Sequence, residues 1–161
     1  MTNLPLAIIL MGSKSDLKHC QEIADNCQLF GIESVLRIAS AHKTALRLLE
    51  LLSDFETDPR PKVYITVAGR SNALSGMVDA NVNAPVIACP PSSSSFGGGD
   101  IFSSLRMPSG VAPMVILEPE NAALASAKIF GQSNAEVLAK VIEYQENHRQ
   151  RLYLADDELN S

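Results

Sequence analysis

Short apolar runs alternate with helical stripes along most of this chain, and that alternation restricts the fold more than any other feature. Residues 5–11 form a continuous apolar run ending at Gly12, the pattern of a strand buried on both faces. Residues 17–30 carry Leu17, Cys20, Ile23, Cys27 and Phe30 at helical spacing, with Gly31 placed to close the helix. Residues 34–39, mostly apolar with one charge at Arg37, predict a second strand. A second helix over 44–56 is expected to present Leu48, Leu49, Leu52 and Phe55 on one face. The two prolines of 57–61 mark a loop, and strands at 63–67 and 85–89 flank a short helix over 73–80. Residues 90–99, PPSSSSFGGG, read as a mobile loop, after which Asp100 is placed to cap a short helix running to Arg106. A fifth strand at 114–117 and helices near 120–130 and 134–153 follow, with Asp156, Asp157 and Glu158 as a solvated acidic end.

Strands that alternate with helices require a parallel sheet with right-handed crossovers and helices on both faces. The expected architecture is a three-layer, doubly wound α/β fold of the flavodoxin-like type. It has about five strands in the order 2-1-3-4-5, plus a C-terminal helix. One domain is expected over residues 1–161, with a core at 5–130 and the final helix at 134–153. In such sheets ligands bind beyond the carboxyl ends of the strands, where the strand order reverses. The segments after strands one to four are therefore the places to look for chemistry.

Composition removes several function classes. A net charge of −5 over 161 residues argues against a nucleic-acid or anionic-membrane partner, which needs a basic face. Aromatic residues make up only 5% and there is no Trp, so a stacking platform for single strands is poorly supplied. The N-terminus lacks a basic leader and the run at 6–11 is too short to target or span a membrane, which makes the cytoplasm the expected location. Three cysteines without a CxxC or Cys/His cluster suggest neither a disulfide framework nor a zinc site. Cys20 and Cys27, seven residues apart on one helix face and so roughly 10 Å distant, read as small core residues.

Gly12, Ser13, Lys14, Ser15 and Asp16 follow the first strand and open a helix. Gly12 lets backbone approach a ligand, the helix N-terminus and the serine hydroxyls suit a phosphate, and the Asp16 carboxylate suits a pair of ribose hydroxyls. Ser15 or Asp16 acting only as a helix cap is the competing reading. Ser40, Ala41, His42, Lys43 and Thr44 follow strand two. Lone histidines are more often structural, but His42 stands at a strand end beside a lysine, opposite the phosphate-suited loop, where it can carry a proton near neutral pH. His19 and His148 lie inside helices and are expected to lack partners. After strand three, Gly69 again permits close approach, Arg70 can clamp an anion, and Ser71 and Asn72 offer neutral hydrogen-bonding groups. Arg70 in a surface or subunit-contact salt bridge remains the alternative. Beyond strand four, 90–99 is placed to act as a lid, and Ser104 and Arg106 lie past it.

Three of these segments, MGSKSD at 11–16, SAHKT at 40–44 and the AG…GM loop at 68–77, together resemble the aminoimidazole ribonucleotide (AIR) carboxylases and mutases of purine biosynthesis. The likeness spans about residues 5–130. It implies a flavodoxin-like subunit, a homo-octamer with sites at subunit junctions, and no metal or cofactor. Lys43 and Ala73 stand where the mutase branch carries an arginine and a histidine. SAHK, AGRSN, CPP at 89–91 and SSLRMPSG at 103–110 are instead similar to the branch that uses CO2 directly. The resemblance implies a ribonucleotide and CO2 as substrates. Ser13, Ser15 and Lys43 would lie near the phosphate or the new carboxylate, and Asp16 on the ribose. Gly69, Arg70, Ser71 and Asn72 would shape the carboxylate site, with His42 moving the proton.

The nearest rival is the N-carboxy-AIR mutase of the same family. A rival of another class is a non-catalytic flavodoxin-like module that binds a phosphorylated metabolite. A phosphoacceptor receiver is disfavoured because no acidic residue ends strand three, and flavin binding because aromatics are few. Ala122, Ala123, Ala125 and Ala127 give one helix a thin surface, suited either to a partner helix or to its own sheet.

Overall fold

The fold is described from a computed structural model that covers residues 4–91 and 97–160. Its centre is a parallel five-stranded sheet in the order β2-β1-β3-β4-β5, as the alternation predicts. The strands are β1 (Leu6–Met11), β2 (Glu33–Ile38), β3 (Lys62–Val67), β4 (Val86–Ala88) and β5 (Met114–Val115). The helices are α1 (Leu17–Leu29), α2 (Ala45–Glu56), α3 (Ala73–Asp79), α4 (Phe102–Leu105), α5 (Pro119–Gly131) and α6 (Ala135–Leu159).

All six β1 residues are buried, and the period of two along a strand explains why the run is apolar throughout. Ala7, Ile9 and Met11 face a core shared with Cys20, Ile23 and Cys27 of α1 and Ala122, Ala123 and Ala127 of α5. Leu6, Ile8 and Leu10 face the opposite core, with Leu48, Leu51 and Leu52 of α2 and Leu74 and Val78 of α3. The inner face of α2 thus uses Leu51, whereas Leu49, expected inside, is 37% exposed. The alanine surface of α5 is consumed within the chain, since that helix packs against α1 and α6. The three cysteines are buried free thiols. Burial pushes Cys20 and Cys89 up to about 12 and Cys27 to about 11.

Four expectations change. Asp100 does not cap a helix; it lies within a 3-10 turn, Gly99–Ile101, whose N-cap is Gly98 in the left-handed region. The final helix does not stop at Tyr153 but runs to Leu159, because no Gly or Pro interrupts the exposed acidic segment before Asn160. Neither His19 nor His148 lacks partners. The His148 Nδ1 lies 2.9 Å from the Tyr144 carbonyl, and its ring packs on the Tyr144 ring at 4.4 Å. The His19 Nε2 reaches the Cys89 carbonyl at 3.1 Å, linking α1 to the end of β4. Part of the expected lid, residues 92–96, lies outside the described residues.

At the N-terminal edge of the sheet, Arg60 joins the Asp58 and Glu33 carboxylates at 2.8 and 2.9 Å, tying the loop before β3 to β2. Tyr64 is fully buried in β3, where its hydroxyl donates to Glu56 at 2.8 Å. Among the described residues, no helix is long and apolar enough to cross a membrane.

Candidate active site

The carboxyl ends of β1, β2, β3 and β4 surround a cleft of about 570 Å³. Its first wall is the turn after β1. Gly12 leaves the sheet with its amide donating to the Val67 carbonyl at 3.0 Å, and a Cβ there would sit 3.6 Å from the Ala68 methyl. The chain then makes a 3-10 turn over Lys14–Asp16 before α1 begins. The Ser13 Oγ accepts from the Ser15 amide at 3.1 Å, and the Asp16 amide donates to the Ser13 carbonyl. Ser13 is therefore the cap of this entry, while Asp16 makes no side-chain cap bond to α1. The turn also uses amides that a simple helix terminus would offer to an anion. Its remaining donors include the two serine hydroxyls, which are 2.6 Å apart. Ser15 Oγ in turn donates to Asp16 Oδ1 at 3.4 Å.

Burial raises the Asp16 carboxyl above its usual value, against the opposing pull of the Ser15 hydroxyl, the His19 charge and the Ser13 backbone. A part-buried carboxylate with lone pairs to spare suits neutral hydroxyl donors better than a phosphate.

The second wall is the turn after β2. Thr44 folds back on it: the Ser40 amide donates to Thr44 Oγ1 at 2.9 Å, and the Thr44 amide donates to the Ser40 carbonyl at 2.9 Å. The Lys43 amide donates to Ser40 Oγ at 3.3 Å. This closure occupies Ser40 and Thr44 with the backbone and leaves His42 and Lys43 exposed on the rim of the cleft. The His42 imidazole has no hydrogen-bond partner among the described residues, so both ring nitrogens are open to a ligand.

The third wall follows β3. Arg70 is the one non-glycine residue with positive φ among those described, at 62°. Its amide donates to Asp100 Oδ2 at 3.0 Å and its carbonyl accepts from Ser103 Oγ at 3.3 Å. Gly69 and Ser71 line the cleft beside it. Asn72 turns away: it is 4% exposed, its Oδ1 caps α3 at the Ser75 amide, and its Nδ2 donates to the buried Ser104 Oγ at 2.9 Å.

The structure thus brings Gly12, Ser13, Ser15, Asp16, Ser40, His42, Lys43, Gly69, Arg70 and Ser71 to one cleft. Asn72 and Ser104 brace its wall from behind, and Arg106 is exposed and does not line it. Sequence reasoning missed Ala41, Ala68, Leu74 and above all Asp100 as lining groups, while Pro91 belongs to the segment expected as a lid. Nothing in the neighbourhood of Asp100 marks it, because its partner is a backbone amide 30 residues away.

The arrangement carries cations at Lys43 and Arg70, hydroxyls at Ser13 and Ser15, carboxylates at Asp16 and Asp100, and an open imidazole. Such a set can hold a phosphorylated sugar and move one proton. The family model described as AIR carboxylase matches residues 6–151. A phosphoribosylaminoimidazole carboxylase of Archaeoglobus fulgidus is 59% identical over 153 residues, spanning 95% of this chain and 84% of that one. One of Treponema denticola is 53% identical over 155 residues, spanning 96% and 98%. The crystal structure of Treponema denticola PurE superposes with a TM-score of 0.96 at 52% identity, covering 98% of this chain and 99% of the other. With a family match over residues 6–151 and relatives this similar over most of their lengths, the chain belongs to the AIR carboxylase family.

Proposed function

We propose that the chain is a phosphoribosylaminoimidazole carboxylase, joining CO2 to C4 of 5-aminoimidazole ribonucleotide and, in reverse, removing it. The observation that carries this reading is the convergence of His42 and Lys43 with the Ser13–Ser15–Asp16 chain and the Gly69–Ser71 turn on one cleft. The relatives named as carboxylases support it.

In this reading the ribotide phosphate is held by the Ser13 and Ser15 hydroxyls and a nearby cation. The ribose hydroxyls donate to Asp16. The enamine-like C4 attacks CO2 beside Gly69–Ser71, forming the C–C bond as one C=O electron pair moves onto oxygen. Lys43 and Arg70 balance the resulting carboxylate. A nitrogen of the neutral His42 imidazole then takes the C4 proton, and the C–H electron pair restores the aromatic ring. Because CO2 is apolar and weakly held, confinement beside C4 supplies much of the rate.

Direct use of CO2 is favoured over transfer from an N-carboxy compound by Lys43 in the SAHK turn and by Ala73, an exposed first residue of α3, in place of a histidine. The test is an assay with AIR and bicarbonate, without ATP or any synthetase, followed by absorbance. Efficient carboxylation is expected; turnover only of the N-carboxy compound would assign the mutase.

The same reading makes residues 1–161 one domain of a cytoplasmic homo-octamer. Large apolar side chains left in water, Leu46 at 78% and Phe102 at 73% exposed, support burial against other copies. Light scattering on the purified chain should return eight copies.

A further inference from the structure

We infer that Asp100 is a positioning residue for Arg70, holding that arginine's backbone in the left-handed region so that its side chain lies in the cleft. The inference deepens the carboxylase reading and rests on it. Asp100 is otherwise out of place. A carboxylate lining a cleft for a phosphate and a newly formed carboxylate repels both unless its charge is used elsewhere. Here Asp100 Oδ2 accepts the Arg70 amide at 3.0 Å.

The conformation it holds is unfavourable for a residue with a Cβ, and Arg70 adopts it at φ 62°. Both sides of Arg70 are fixed from one short segment. Asp100 takes its amide, and Ser103 Oγ accepts the Asn72 amide at 2.9 Å while its single proton is shared between the Asp100 carbonyl at 2.8 Å and the Arg70 carbonyl at 3.3 Å. A Cβ at Gly69 would lie 3.6 Å from both Asp100 Oδ2 and Pro91 Cγ, ordinary van der Waals contact, so the carboxylate packs directly against this backbone and a side chain larger than a methyl at 69 would crowd it.

The experiment is a double-mutant cycle on the full chain, reading KM for AIR and kcat separately. Asp100→Ala should raise KM roughly tenfold to a hundredfold, the loss of a hydrogen bond to a charged group. Asp100→Asn, whose amide oxygen still accepts the Arg70 amide, should stay near the parent. In an Arg70→Gly background the Asp100→Ala change should move KM by less than about twofold, because no side chain remains to position. An Asp100→Ala variant with the parent KM, an Asp100→Asn variant as impaired as Asp100→Ala, or an undiminished effect on Arg70→Gly would each overturn the inference. Should Asp100→Ala not accumulate folded, Ser103→Ala, which removes the hydroxyl shared between the Asp100 and Arg70 carbonyls, enters the same cycle. A crystal structure of the alanine variant provides a substrate-free arm: Arg70 should leave the left-handed region, and its staying there refutes the role. Parent protein inert toward AIR would instead end the carboxylase reading and leave this arm standing.

Discussion

Asp16→Asn should make the free protein more stable and the bound protein weaker. Burial raises the Asp16 carboxyl in the folded chain above its unfolded value of 3.8. The folded state therefore holds its proton longer, and stability falls as pH rises above 3.8 through the raised folded value. At neutral pH the ionised Asp16 is a burden that the amide removes. The melting midpoint of Asp16→Asn should lie above the parent's at pH 7, and the gap should close below pH 3.8, where the carboxyl is protonated in both states. A helix-capping role predicts the opposite, but Asp16 makes no cap bond.

Binding works in the other direction. An amide keeps one acceptor oxygen of two, so the variant loses one charge-assisted bond to the ribose, about 1.5–3 kcal/mol. That is roughly tenfold to a hundredfold in Kd. At a ribotide concentration 100 times the parent Kd, the parent gains about 2.7 kcal/mol of stability. A variant with Kd raised about thirtyfold gains only about 0.9 kcal/mol. For a chain of this size that separates a ligand-induced midpoint shift of roughly 5–11 °C from one of 2–4 °C. Thermal unfolding with and without ribotide, at one protein concentration, reads both effects. A neutral-pH midpoint below the parent's, or a full ligand shift in the variant, would refute the reasoning.

His42→Asn should lower turnover by about 10²–10⁴ and leave ribotide binding nearly intact, measured by steady-state kinetics beside calorimetry. Gly31, with φ 74° at the end of α1, should cost about 1–2 kcal/mol on change to Ala, seen in chemical unfolding. The clash of the new methyl, 2.7 Å from Lys140 Nζ, adds little because that end of the side chain can move. Arg60→Ala should shift acid unfolding, followed by circular dichroism, to higher pH. Hydrogen bonds from Arg60 hold the Asp58 carboxyl down at about 2, so its contribution is complete above 3.8 and is lost as pH falls toward 2.

The strand order follows from the doubly wound fold that the strand–helix alternation selects. The two-sided burial of β1 and the identity of the cleft loops follow from apolar periodicity and strand-end placement, which need no knowledge of distant contacts. The place of His42 in the cleft was legible for the same reason, since it stands at a strand end beside a lysine. Distinctions that depend on which groups meet across the fold were not. Leu51 rather than Leu49 faces the core of α2, since both fit a helical stripe and only the angle of the helix on the sheet separates them. Ser13, not Ser15 or Asp16, caps the entry to α1, because a 3-10 turn displaces the helix start. Asn72 spends its side chain on the Ser104 hydroxyl and the Ser75 amide, whereas in sequence Asn72 and Ser104 resemble ligand contacts. His19 finds the Cys89 carbonyl 70 residues away. The plainest case is Arg70. By itself the sequence determined that an arginine follows β3 at the ligand end of the sheet. Only the tertiary structure decided its backbone conformation, because the Asp100 carboxylate that balances its strain arrives from a segment beyond β4.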